Sequence, residues 1–188
     1  MRLPAPSLLA FALAGCASTS AGGKPSSTGS IPVATVAPLP EDVGSVDGVM
    51  RAFYEVTNVA PDAPRQWARD RTLYVPWIRF VALGGGASGR SAVTVWTHQE
   101  FVDATEPLIQ KGFVEREIFR TTRRYGNMVH VDSTYETLVG VEQPRRSRGV
   151  NSVELYFDGQ RWWVASVVWQ SEDAAHPIPP ELLPPALR

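Results

Sequence analysis

Cysteine is almost absent: Cys16 is the only one among 188 residues. That excludes an intramolecular disulfide framework and a cysteine-based zinc cluster. Histidine is scarce too, and His98, His130 and His176 lack the spacing of a metal site. No sign of charge dominates. The formal net charge is −1, so no strong field favours nucleic acid or anionic lipid. No apolar run reaches the roughly 20 residues that a helix needs to span a bilayer. No G-x-S-x-G nucleophile elbow occurs, and nothing calls for a cofactor. G-G-G-A-S-G (84–89) matches a dinucleotide fingerprint in letters only. The β-branched, alternating R-S-A-V-T-V-W follows it, where a helix would have to open.

What is present begins with an address. Met1-Arg2 is followed by the apolar run Leu8 to Ala14, which ends in Leu13-Ala14-Gly15-Cys16. The run has the length of a signal-peptide core. Its ending resembles the bacterial lipobox, in which the cysteine is lipidated and becomes the first mature residue. The resemblance implies a signal peptide over 1–15 and a membrane contact made only through lipid on Cys16. Ala17 and Ser18 follow in place of Asp, which implies the outer membrane, facing the periplasm. Residues 16–44 are rich in Gly, Ser, Thr and Pro, with no aromatic, and read as a flexible tether. A single domain is expected over 45–171, where all six tryptophans lie. Residues 172–188 read as an extended Pro-rich tail that Ile178, Leu182 and Leu183 could pin to the domain.

Within the domain, Val46, Val49, Met50 and Phe53 recur at helical spacing, with Ser45 or Asp47 as cap. Residues 64–74 open with Pro64 and predict a second helix. Residues 74–83 are aromatic and β-branched, hence a strand. Thr97 and Glu100 form a capping box ahead of Phe101, Ala104, Leu108 and Ile109, and this third helix stops at Gly112. The period then changes to two, predicting strands over 113–125, 128–141, 150–157 and 161–170. Gly126-Asn127 and Asp158-Gly159 supply turns between them. R-R-S-R (145–148) reads as a basic loop. The expected order is α-α-β-α-β-β-β-β, an α+β fold with helices on one face of a curved, mainly antiparallel sheet.

That order, together with Y-G-N-M-V-H-V-D-S-T-Y-E and G-V-N-S-V-E-L-Y-F-D-G-Q-R-W-W-V-A-S-V-V-W, resembles the SnoaL-like branch of the nuclear transport factor 2-like superfamily. The resemblance implies a cone-shaped sheet with a pocket between sheet and helices. The superfamily holds isomerases, cyclases, dehydratases and binding modules, so fold alone does not give function. The ketosteroid isomerase acid and base positions fall on Val153 and Ala82, which cannot transfer protons. Alternation along the strands turns Phe113, Glu115, Glu117 and Phe119 to one face, with Ser133 and Tyr135, Asn151 and Val153, and Trp163 and Trp169. With Tyr54 and Trp67 these residues predict an apolar cavity walled by Trp and Phe. Glu115, Glu117 and Tyr135 are the candidate catalytic groups, although both glutamates could equally pair with Arg116, Arg120, Arg123 or Arg124. Trp163 and Trp169 could equally be core. His130 and Asp132, two apart on a strand, form a candidate dyad or simply an exposed face. The expected role is binding a small apolar molecule or acting as an accessory module. The alternatives are a lyase or isomerase using a pocket Glu with Tyr135, and a homodimeric interaction domain pairing through the outer sheet face.

Overall fold

The computed structural model describes residues 29–58, 60, 63–85, 91–142 and 144–187. Cys16, the signal-peptide reading and Gly86–Gly89 of the glycine loop lie outside the described residues. Four α-helices and six strands follow in the order α1 (Pro40–Val43), α2 (Val46–Glu55), α3 (Trp67–Arg71), β1 (Phe80–Gly85), β2 (Ser91–Trp96), α4 (His98–Ile109), β3 (Phe113–Tyr125), β4 (Met128–Val139), β5 (Arg145–Phe157) and β6 (Trp162–Ser171). The strands form one curled mixed sheet in the order β2-β1-β6-β5-β4-β3, the α+β cone that the sequence implies. Only β1 and β6 run parallel; every other neighbouring pair is antiparallel.

Local chemistry sets most boundaries. Ser45 caps α2 by accepting from the Gly48 N–H, and Val49, Met50, Ala52, Phe53 and Tyr54 are buried. Thr97 and Glu100 close the expected capping box at α4. The buried stripe of α4 is His98, Val102, Thr105 and Ile109, and Ala104 is exposed. Three expected spans change. The strand foreseen over 74–83 begins only at Phe80, because Pro76 and Trp77 turn the chain and Tyr74 makes a single bridge to Val164. S-A-V-T-V-W (91–96), whose alternation is visible in the sequence, pairs with β1 as a hairpin and adds a strand before α4. The expected basic loop 145–148 is the start of β5: Arg146 joins Arg116 on Glu136, and Arg148 pairs with Glu172.

Two bulges decide which side chains face the helices. In β3–β4 the register runs Glu117↔Tyr135 and then Phe119↔Thr134, so Ile118 is the extra residue. The inner face therefore passes from Glu115 and Glu117 to Arg120 and Thr122. In β5–β6 it runs Glu154↔Ser166 and then Leu155↔Val164, so Ala165 is extra and Trp162, not Trp163, turns inward. An alternation count carried through a bulge lands on the wrong face, because one inserted residue reverses every later side chain.

The ends of the chain are fastened to this frame. Of the segment read as tether, Ser30 and the Ile31 N–H bond Asp103, and Ile31 and Val33 pack beside Trp67, Val102 and Ile109. These apolar residues find a groove on α4 that composition alone does not reveal. After β6 the chain crosses the outer face of the sheet. Thr134 Oγ1, which points away from α2, donates to the Leu182 carbonyl at 2.5 Å, and Ile178 and Leu183 are buried.

Candidate functional site: a polar cleft between α2 and β3

The inner face of the sheet is graded from apolar to polar. One row, Val131–Val153–Val167, is almost wholly buried and forms the core with Met50 and Phe53. The next row reads Arg120–Ser133–Asn151–Trp169–Ala82. The next is Glu117–Tyr135–Gly149–Ser171, and beyond it Glu115 lies opposite Thr137. Polar side chains thus accumulate toward one end, under the C-terminal half of α2.

There they join into a chain. Ser133 Oγ donates to Glu117 Oε1 at 2.5 Å. A hydroxyl has one proton, so Tyr54 Oη, 2.6 Å from Ser133 Oγ, must be the donor in that contact. Tyr54 Oη in turn accepts from Asn151 Nδ2 at 3.2 Å. The path Asn151 → Tyr54 → Ser133 → Glu117 has one direction while Glu117 is ionised. Tyr54, Ser133 and Asn151 are buried. Glu117 is half-buried; burial raises its pKa, against the Ser133 bond and the Arg120 guanidinium, whose Nε lies 3.2 Å from Oε2.

Glu115 is different. Burial pushes its carboxyl up to about 7, and the one opposing influence is a hydrogen bond from Asn151. No cation offsets that burial, so of the two expected readings the Arg pairing applies to Glu117 and not to Glu115. Its backbone N–H donates to Asn58 Oδ1 at 2.6 Å, which fixes the start of β3 against the end of α2. The Tyr54 phenol is raised far above its ordinary range, first by burial and then by the Glu115 charge. Two carboxyls, both raised by burial, therefore meet one polar chain, Glu117 through Ser133 and Glu115 through Asn151. An open cleft of about 320 Å³ runs along this edge, with Met50, Tyr54 and Asn58 on one wall and Glu115, Glu117 and Arg120 on the other. Among the described residues, no three His, Cys, Asp or Glu side chains gather as a metal site.

The structure brings Tyr54, Glu115, Glu117, Ser133 and Asn151 together and disperses most of the rest. Tyr135 stays beside them, opposite Glu117 and with its phenol raised by burial and then by the Glu115 charge, but its Oη meets Ser171 Oγ at 3.3 Å, so Tyr54 is the phenol in the polar chain. Trp67 lies under α4, where its indole N–H donates to Glu106, and Phe113 packs on the same cluster. Phe119 turns to the outer face beyond the β3 bulge. Trp163 does so beyond the β6 bulge, with its N–H on Asp158 and the Arg161 guanidinium 3.7 Å from its ring centroid. Trp169 faces inward but stacks on Trp96, with centroids 5.8 Å apart. Val153 is wholly buried in the core. The cleft is consequently charged and polar, not the Trp- and Phe-walled cavity expected. Asp47, Arg51, Glu55, Asn58 and Arg120, which also line it, escaped the sequence reading as cleft residues. Asn58 sits at a helix end with no pattern to flag it, and the bulge hides the inward turn of Arg120. On the opposite face His130 lies between Glu154 (Nδ1 to Oε1, 2.6 Å) and Asp132 (Nε2 to Oδ1, 3.0 Å).

No family model matches the chain, and no curated protein matches it. Solved structures do. An uncharacterised protein with a cystatin-like fold from Caulobacter vibrioides superposes with a TM-score of 0.52 at 10% identity, over 70% of this chain and 90% of its own. LinA superposes with a TM-score of 0.51 at 11% identity, over 71% and 93%. The beta subunit of benzoate 1,2-dioxygenase from Burkholderia mallei gives 0.50 at 12%, over 70% and 97%. Identities this low carry the fold alone: the chain shares the curled α+β cone of these structures.

Proposed function

We propose that the cleft between α2 and β3 binds a small molecule and moves a proton on it, as a lyase or isomerase does, with Glu115 as the group that takes and returns the proton. The observation that supports this is the unbroken Asn151–Tyr54–Ser133–Glu117 path ending beside a second carboxyl on the same cleft wall. A carboxyl whose pKa lies near 7 is matched to proton transfer near neutral pH. Asn151 holds that carboxyl, and Tyr54 stands ready to donate to an oxygen of the ligand when Ser133 turns away. Arg120 lies on Glu117 and opposes the upward pull of burial, a partner that Glu115 lacks, so the two carboxyls sit in different surroundings. The test is carbon-bound hydrogen exchange in D2O, followed by NMR, for small carbonyl compounds that bind the cleft. Exchange that is lost in Glu115→Gln, with binding retained, is expected. Binding without exchange for every such ligand would leave a binding module only.

Two further readings go with this one. The chain is anchored in a bacterial envelope membrane through lipid on Cys16, at the outer membrane facing the periplasm; labelled palmitate should be incorporated and then lost in Cys16→Ser. For the homodimer, the outer face over β3–β5 is crossed by residues 172–187, so a second copy would use the open half, where Val93 and Val95 of β2 are exposed. Light scattering decides between monomer and dimer.

A further inference from the structure

A second open cleft, about 440 Å³, lies at the other end of α2, with Ser45 and Asp47 on one side and Arg124, Phe157 and Trp162 on the other. Trp162 reaches it because the β6 bulge turns that residue inward, and its ring meets Phe157 at 5.6 Å between centroids, tilted by 45°. The Arg124 guanidinium lies 5.2 Å from the centroid of the Trp162 ring. Its Nε donates to the Gly126 carbonyl at 3.0 Å, which leaves the Nη pair without a protein hydrogen-bond partner among the described residues. Arg116 and Arg120 are each tied to carboxylates, whereas no carboxylate among the described residues lies within 4.0 Å of Arg124. The start of α2 contributes little, since Ser45 already accepts from Gly48. The partly exposed Phe157 ring, the edge of Trp162, which is otherwise buried in the core, and an exposed guanidinium with no carboxylate partner among the described residues form a receptor for a flat ring bearing an anion.

We infer that this cleft is a subsite for a planar aromatic carboxylate, with the ring against Phe157 and the edge of Trp162 and the carboxylate on the guanidinium of Arg124. Asp47 lines both clefts and is tied to Arg120 at 3.1 Å, with its own side chain 89% exposed. A pair so exposed holds weakly, so the divider between the clefts yields readily to a ligand. One elongated molecule can then lie along α2, its aromatic acid at Arg124 and its reacting carbon at Glu115. That last link rests on the function proposed above; the subsite does not.

The probe is 2-naphthoate, with neutral 2-naphthylmethanol as its control, titrated into the full chain by calorimetry and tryptophan fluorescence. The acid should bind about tenfold more tightly than the alcohol, as a paired charge gives. Arg124→Gln, a change at an exposed side chain, should erase that preference while leaving the circular dichroism spectrum unchanged. Asp47→Asn should tighten the acid by removing a like charge. Glu115→Gln should leave naphthoate binding alone, so failure of the proton-transfer reading is seen separately. Equal affinity for acid and alcohol, a preference that survives Arg124→Gln, or no binding of the acid would each overturn the subsite.

Discussion

Ser133 gives its only hydroxyl proton to Glu117, 2.5 Å away, and this single contact orders everything upstream of it. Tyr54 must donate to Ser133, and Asn151 must donate to Tyr54. The polar chain holds α2 to β4 and β5 while pointing its charge at the cleft. A buried chain of this kind stabilises only while every member is satisfied.

Removing its centre tests that. Tyr54→Phe keeps the ring but removes the acceptor that Asn151 Nδ2 meets at 3.2 Å and leaves Ser133 without a donor. The variant should lose about 1–3 kcal/mol in denaturant unfolding, the cost of unsatisfied buried groups. Ser133→Ala should cost a similar amount, and the double variant should cost less than the two together, since both break one chain. Full additivity would show that the bonds act independently.

Glu115 makes stability fall as pH rises. Its folded pKa, about 7, lies above the ordinary glutamate value of 4.5, so the folded protein holds a proton that the unfolded chain has released between those values. The contribution is complete below pH 4.5 and is lost as pH climbs through 7. The shift corresponds to a loss on the order of 3 kcal/mol. Glu115→Gln should flatten that part of the pH profile and be the more stable protein at pH 8; melting temperatures measured from pH 4 to 8 read this directly.

His130 should act in an adjoining window. Burial alone would lower its pKa, but the bonds to Glu154 and Asp132 outweigh it, and the net direction is upward from 6.5. Its contribution is present below 6.5 and fades as pH rises through the folded value. Glu154→Gln should pull the His130 titration down in NMR and leave the Glu115 titration in place.

Gly149 is demanded by Tyr135. A Cβ there would collide with the Tyr135 hydroxyl and with the Gln170 carbonyl. Gly149→Ala should cost about 1–3 kcal/mol by overpacking. Combining it with Tyr135→Leu should recover part of the loss, because the hydroxyl and the ring carbon Cζ that a Cβ would meet are then gone while the Gln170 carbonyl remains; thermal melts of the single and double variants measure it.

How far this was legible in the sequence depended on the kind of signal. Periodicity, the Thr97–Glu100 box and the turns at Gly126 and Gly159 marked α4 and the long strands, because each is a local rule. The hairpin partner Ser91–Trp96 was written in its alternation but overshadowed by the glycines before it. Glu115, Glu117, Ser133 and Asn151 could be set on one face because each lies on the near side of a bulge. Phe119 and Trp163 were misplaced because Ile118 and Ala165 are ordinary residues; nothing in them announces an insertion. Asn58 and Arg120 become cleft residues only when β3 meets α2, a contact between distant segments that no local pattern contains.

The most direct test of the account is the titration of Glu115 itself, by carbon NMR of the side-chain carboxyl with Glu115→Gln to assign the signal. The account predicts a midpoint near 7. A midpoint near 4.5, the value of an ordinary exposed glutamate, would contradict it.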